Sequence, residues 1–177
     1  IGGRMNLLSW NVQGAFPKYT PIERIEDQVQ YLDNSADCPD IIALNEVNRY
    51  RRDTWVDELK NIGYTEIVHT LDWAEELGEC DIPPHQDYSH VNGNLTAVHE
   101  EFKGGNLTRL QPSIRYGPWE DADLKDWDTN VPEKILNAEV ELEDTTLELW
   151  NIRAVPGSMH GEEKVKILEN TYNRIMK

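Results

Sequence analysis

What most constrains this chain is an alternation near its start. Met5 to Val12 (MNLLSWNV) is a short apolar run ending at Gln13-Gly14, and Asp40-Ile41-Ile42-Ala43-Leu44-Asn45 is a second, with a helical pattern between them. Short apolar runs bounded by turn residues read as buried strands. The segment between them opens with Thr20-Pro21-Ile22-Glu23: an N-cap threonine, proline at the first helical position and glutamate three residues after the cap. Ile22, Ile25, Val29 and Leu32 then follow at helical spacing. A helix between two such strands is the unit of a layered α/β domain.

The rhythm continues downstream. A helix over about Thr54 to Ile62 stops at Asn61-Ile62-Gly63, and Tyr64 to His69 resumes as strand. Thr70 to Asn92 reads as a long acidic loop in which His85 and His90 are solvated. Asn94 to His99 and Leu107 to Tyr116 are predicted strands separated by the Gly104-Gly105 turn, and Gly117 to Val131 is a second acidic loop anchored by Trp119 and Trp127. Leu136, Ala138, Val140 and Leu142 alternate with polar residues, and Glu143-Asp144-Thr145 links them to Thr146–Arg153 as a hairpin. Gly161 to Met176 carries Val165, Ile167-Leu168 and Tyr172 at helical spacing.

Charge then limits function. Seventeen basic against 33 acidic side chains give a net charge of −16, which excludes a basic, electrostatically driven nucleic-acid binder. With 38% apolar residues among 177, the chain can bury one core, and one domain over residues 5–177 is expected, residues 1–4 reading as a cloning or cleavage remnant. Acids spread along the whole chain suggest a halophile, and in molar salt the Debye length is only about 3 Å, so net charge does not veto a phosphodiester substrate. No apolar run reaches the roughly 18 residues of a membrane span, and a cytoplasmic protein that does not engage membranes is expected. Cys38 and Cys80 lack zinc-ligand spacing and read as free thiols.

Two polar residues end the two apolar strands: Asn11 and Glu46. Ligands of open α/β sheets collect at the carboxyl ends of strands. A carboxylate and an amide carbonyl are hard oxygen donors that suit Mg²⁺ held by few protein groups, water and substrate phosphate; alternatively Asn11 caps a turn and Glu46 is solvated.

Together, Leu7-Leu8-Ser9-Trp10-Asn11-Val12-Gln13-Gly14 and Pro39 through Glu46 resemble, in motif and order, the endonuclease/exonuclease/phosphatase superfamily, the metal-dependent phosphodiesterases and phosphatases related to deoxyribonuclease I. Asn92-Gly93-Asn94-Leu95-Thr96-Ala97-Val98 and Leu149 through Gly157 are weaker matches to its later strands. The resemblance implies an α/β fold in which a two-sheet sandwich is flanked by helices. It also implies an Mg²⁺-dependent (or Mn²⁺-dependent) phosphoester hydrolase, with nuclease favoured over small-molecule phosphatase. Asn11 and Glu46 would position the metal, Glu46 directly, for in-line attack by water. Asn151 and Arg153 fall where relatives contact the phosphate, Arg153 replacing a usual Tyr or His; a surface arginine paired with a nearby acid is the other reading. Gln13 replaces an acid common in relatives.

Arg49, Arg51 and Arg52 follow Glu46 as a basic cluster, placed before a helix where cations oppose its dipole. Contact with a substrate phosphate, possibly of DNA or RNA, and pairing with local acids both remain open. The family's Gly-Asp-x-Asn and terminal Asp-His motifs are not present. The expectation is therefore an N-terminal portion with weakened catalysis and exposed apolar surface, self-associating or pairing with a missing C-terminal part. A non-catalytic binding module is the alternative, and an unrelated acidic α/β protein a third.

Overall fold

Strand β1 (Leu7–Asn11), helix α1 (Ile22–Asp33) and strand β2 (Ile41–Asn48) form the expected unit, with β1 and β2 parallel and Asn11 opposite Asn45. The computed structural model describes residues 5–35, 38–79, 90–102, 107–109, 131–142, 144–154 and 157–176. After β2 a 3-10 turn (Arg49–Arg51) leads to α2 (Arg52–Asn61), β3 (Tyr64–His69), α3 (Leu71–Glu79) and β4 (Asn92–His99). Then come β5 (Leu107–Arg109), a 3-10 turn (Pro132–Lys134), β6 (Ile135–Glu141), β7 (Thr146–Ile152) and α4 (Gly157–Ile175). The strands make a mixed four-stranded sheet in the order β1-β2-β4-β3 and an antiparallel three-stranded sheet β5-β6-β7.

Alternating side chains along β2 and β4 explain the layering. Ile42, Leu44, Leu95 and Ala97 face α1 and α2, packing on Ile25, Val29, Leu32, Trp55 and Leu59. Ile41 and Val98 point the other way and meet Leu107, Ala138 and Val140 of the second sheet. On the outer side of that sheet Ile135 packs with Val131 and Ile167 of α4. The order is helix, sheet, sheet, helix, and each such aliphatic side chain contributes about 1.5–3 kcal/mol by burial.

The structure corrects several local expectations. Pro21, not Thr20, is the N-cap of α1, and it makes no side-chain cap bond; Thr20 is buried, and its backbone carbonyl accepts from Arg51 Nε. The predicted loop from Thr70 contains α3, whose Leu71, Trp73, Ala74 and Leu77 are fully buried while Glu75 and Glu76 face solvent. Helix α4 starts at Gly157, and of its apolar stripe Ile167 is buried whereas Val165, Leu168 and Tyr172 are exposed. His90 is not solvated but buried, as described below. Cys38 is a free thiol whose Sγ lies 3.6 Å from Tyr64 Oη. Residues 1–4, Cys80, His85, the Gly104-Gly105 turn, the predicted strand beyond Arg109 and the loop with Trp119 and Trp127 lie outside the described residues. Among the described residues no helix is long and apolar enough to cross a membrane.

Candidate active site

The carboxyl ends of β1 and β2 lie side by side, which brings the two motif residues into one neighbourhood. Val12 N–H donates to Asn45 O at 3.0 Å, and Gly14 N–H to Glu46 O at 2.8 Å, so the chain leaving β1 continues along β2. Asn11 Oδ1 accepts from Gln13 N–H at 2.9 Å, closing an Asx turn with Gln13 at φ 58. Gly14 has a steric reason: a Cβ there would meet Glu46 O at 2.1 Å and Asn48 N at 2.8 Å.

Glu46 owes its position to a break in β2. Its parity matches Ile42 and Leu44, which would send its carboxylate into the helix-facing core. The pairing with β4 shifts register between Leu44 and Val47, and Glu46 takes φ 57, so Val47 fills the core position instead. The carboxylate then meets Arg153, just past β7: Nε donates to Oε1 at 2.7 Å and Nη2 lies 2.5 Å from the same oxygen, with side chains 11% and 17% exposed. Both contacts fall on Oε1, and among the described residues no donor engages Oε2.

Beneath this pair the sheets are joined by amides. Asn151 Nδ2 donates to Leu44 O and Leu95 O at 3.2 and 3.0 Å, while its Oδ1 accepts from Asn45 Nδ2. Asn94 Nδ2 donates to Lys134 O and Asn151 O at 2.7 and 2.8 Å, and Arg153 N–H donates to Lys134 O at 2.9 Å. Asn151 is therefore buried and committed to both sheets, a positioning residue for Arg153 two residues on.

Deeper still lies a polar triad the sequence did not reveal. His90 Nδ1 and Glu133 Oε1 are 2.9 Å apart, Lys134 Nζ is 3.5 Å from the same oxygen, and all three side chains are fully buried. Lys134 Nζ also donates to Asn92 O and Oδ1. Burial alone would raise the Glu133 carboxyl, but the charges of His90 and Lys134 and the hydrogen bonds outweigh it and hold it below the usual range. For Lys134, burial together with the Arg153 charge outweighs the attraction of Glu133 and Glu46, and its ammonium is pushed down to about 8. Asn92 and Asn94 had only a faint sequence signal, the alternation of polar Asn92, Asn94 and Thr96 with Gly93, Leu95 and Ala97 in β4, and Asn45, Glu133 and Lys134 had none.

The predicted arginine cluster divides. Arg49 donates through Nη1 to Ala74 O and Glu75 O and through Nη2 to Tyr50 Oη. Arg51 Nε donates to Thr20 O, and Arg52 pairs with Asp53 and Glu75 at 3.2 Å each. All three are engaged by local groups, and Arg49 and Arg52 line a cleft of about 400 Å³ with Tyr50, Asp53, Thr54 and Glu75.

Among the described residues no cluster of three or more His, Cys, Asp or Glu side chains forms a ready metal cage. One carboxylate with an unengaged oxygen, next to strand-end amides, fits instead a hard cation that keeps most of its water. Comparison with protein-family models, with characterised proteins and with solved structures gives no match.

Proposed function

We propose that this chain is a divalent-metal-dependent phosphoester hydrolase of the endonuclease/exonuclease/phosphatase type, with a deoxyribonuclease I-like sandwich. The observation that carries the reading is the bulge at Glu46: a strained backbone turns a carboxylate, against the parity of its strand, away from the helix-facing core, one residue beyond the partner of Asn11 at the end of β1. Glu46 Oε2 and Asn11 Oδ1 would hold Mg²⁺ or Mn²⁺, which when bound polarises a phosphoryl oxygen. Arg153 both steadies Glu46 through Oε1 and offers its remaining guanidinium edge to charge building on the phosphoryl oxygens. Asn151 and Asn45 fix the two strands that carry these groups.

A second reading is favoured by the same ion pair. A guanidinium that neutralises Glu46 weakens its pull on a cation, as in a binding module that retains the site without catalysing. Plasmid nicking in molar KCl, with and without Mg²⁺, separates the two. The hydrolase reading expects Mg²⁺-dependent nicking that falls at least about 100-fold in Glu46→Gln. A folded native chain that does not nick overturns the hydrolase reading, and its Mn²⁺ electron paramagnetic resonance signal then shows whether the site still takes a cation.

A further inference from the structure

We propose that Lys18, Tyr19 and Tyr50 form a platform on which an unpaired nucleobase stacks while Lys18 meets its flanking phosphate. As a statement about substrate this rests on the hydrolase reading above; as a statement about binding it stands on its own geometry.

Tyr19 lies in the loop that leaves β1 and Tyr50 in the turn that leaves β2, so both sit at the strand ends that carry Asn11 and Glu46. Their ring centroids are 4.8 Å apart with the planes tilted by 49°. Cations gather on them: Lys18 Nζ lies 5.8 Å from the Tyr19 ring and 5.3 Å from the Tyr50 ring, and Arg49 Cζ lies 4.6 Å from the Tyr50 ring. Two other exposed aromatic rings, Tyr31 and Tyr172, have no such cation over them among the described residues. Tyr50 has a structural task in accepting from Arg49, but Tyr19 is 56% exposed and packs in no core cluster.

The platform is held in place beforehand. Asn48, fully buried, donates through Nδ2 to Gly14 O at 3.0 Å and Lys18 O at 2.7 Å, and its Oδ1 accepts from Tyr50 N–H at 2.9 Å. One side chain thereby fixes both segments, which lowers the ordering cost of binding.

Charge selects the ligand class. A chain of net charge −16 repels a polyanion at long range, so recognition must come from contacts made at close quarters. An aromatic face with an adjacent cation supplies that contact: every base has a π-face, and Lys18 has no carboxylate partner among the described residues. A base stacked inside a duplex cannot present its face to Tyr19. Single strands, frayed ends or flipped nucleotides can.

The test is fluorescence anisotropy of end-labelled oligothymidylate and oligouridylate of about ten nucleotides, a length within single-strand site sizes, against a duplex of equal length, in EDTA. Tyr19→Ala should weaken single-strand binding about tenfold, and Tyr19→Trp should preserve it. Equal affinity of native and Tyr19→Ala protein, or preference for the duplex, overturns the platform. Repeating the experiment with Mg²⁺ separates it from the reading it extends. Tyr19-dependent binding without cleavage would leave the platform and remove the hydrolase, whereas cleavage indifferent to Tyr19 would do the reverse.

Discussion

At one end of the layer between the two sheets, Ile41, Val98, Ala138 and Val140 meet as hydrocarbons; at the other, Asn45, Asn94, Thr96 and Asn151 meet as amides and a hydroxyl. Hydrocarbon contact is non-directional and survives small shifts of one sheet over the other. Amide contact does not, because a buried donor misplaced by an ångström leaves both partners unsatisfied. The apolar end thus contributes stability that does not depend on exact register, and the polar end fixes the register that sets Arg153 on Glu46.

The largest effect that would sharpen this contrast is Ile41→Ala. Removing a fully buried side chain from the apolar end should cost about 4 kcal/mol in urea melts while the Mn²⁺ binding proposed for Glu46 is retained in the folded variant. Loss of both together would show that the two ends are not separable.

Next comes the pH dependence of the polar end. The ammonium of Lys134 titrates at about 8 when folded and at 10.5 when unfolded, so between these values the unfolded chain binds the extra proton and stability rises with pH. The gain should approach about 3 kcal/mol by pH 10 and be absent from Lys134→Met. Tyr64, raised by burial and by its contact with Cys38, has the opposite sign above pH 10, so the window closes there. A flat profile in the native chain would mean that Lys134 is solvated.

The smallest effect on stability, and the most telling for the site, is Asn151→Ala. It should cost about 2 kcal/mol and lower the proposed metal-dependent activity more than the stability loss explains, because the amides no longer hold β7 to β2 and β4. Stability lost with activity intact would leave Asn151 as a structural tie alone.

The strands and most helices were legible because their signals are local. The period of α1, the alternation of β6 and the boundaries of β3 depend on neighbours in sequence. Helix α3 escaped because four acids among Leu71–Glu79 mask a stripe in which Leu71, Trp73, Ala74 and Leu77 are buried. At the site, Asn11 is the strand end that was expected, whereas Glu46 does not close β2 but sits at a bulge two residues before its end at Asn48. What could not be read was the ion pair of Glu46 with a residue 107 positions away, or the hydrogen bond between His90 and Glu133, 43 apart. Such pairs depend on how two sheets are stacked, which no local period encodes. The placement of Arg49 and Arg51 on backbone carbonyls is of the same kind.

The bulge in β2 behaves like a frameshift in a two-letter text. Before it, even-numbered side chains enter the helix-facing core; after it, Val47 does, and Glu46 is the extra character that permits the change. Deleting that one residue would restore an unbroken alternation, with valine still at the core position. A single in-frame deletion at position 46 would therefore remove this carboxylate while keeping the alternation of β2, so the length of β2, as much as the identity of the residue at the bulge, decides whether a carboxylate meets Arg153.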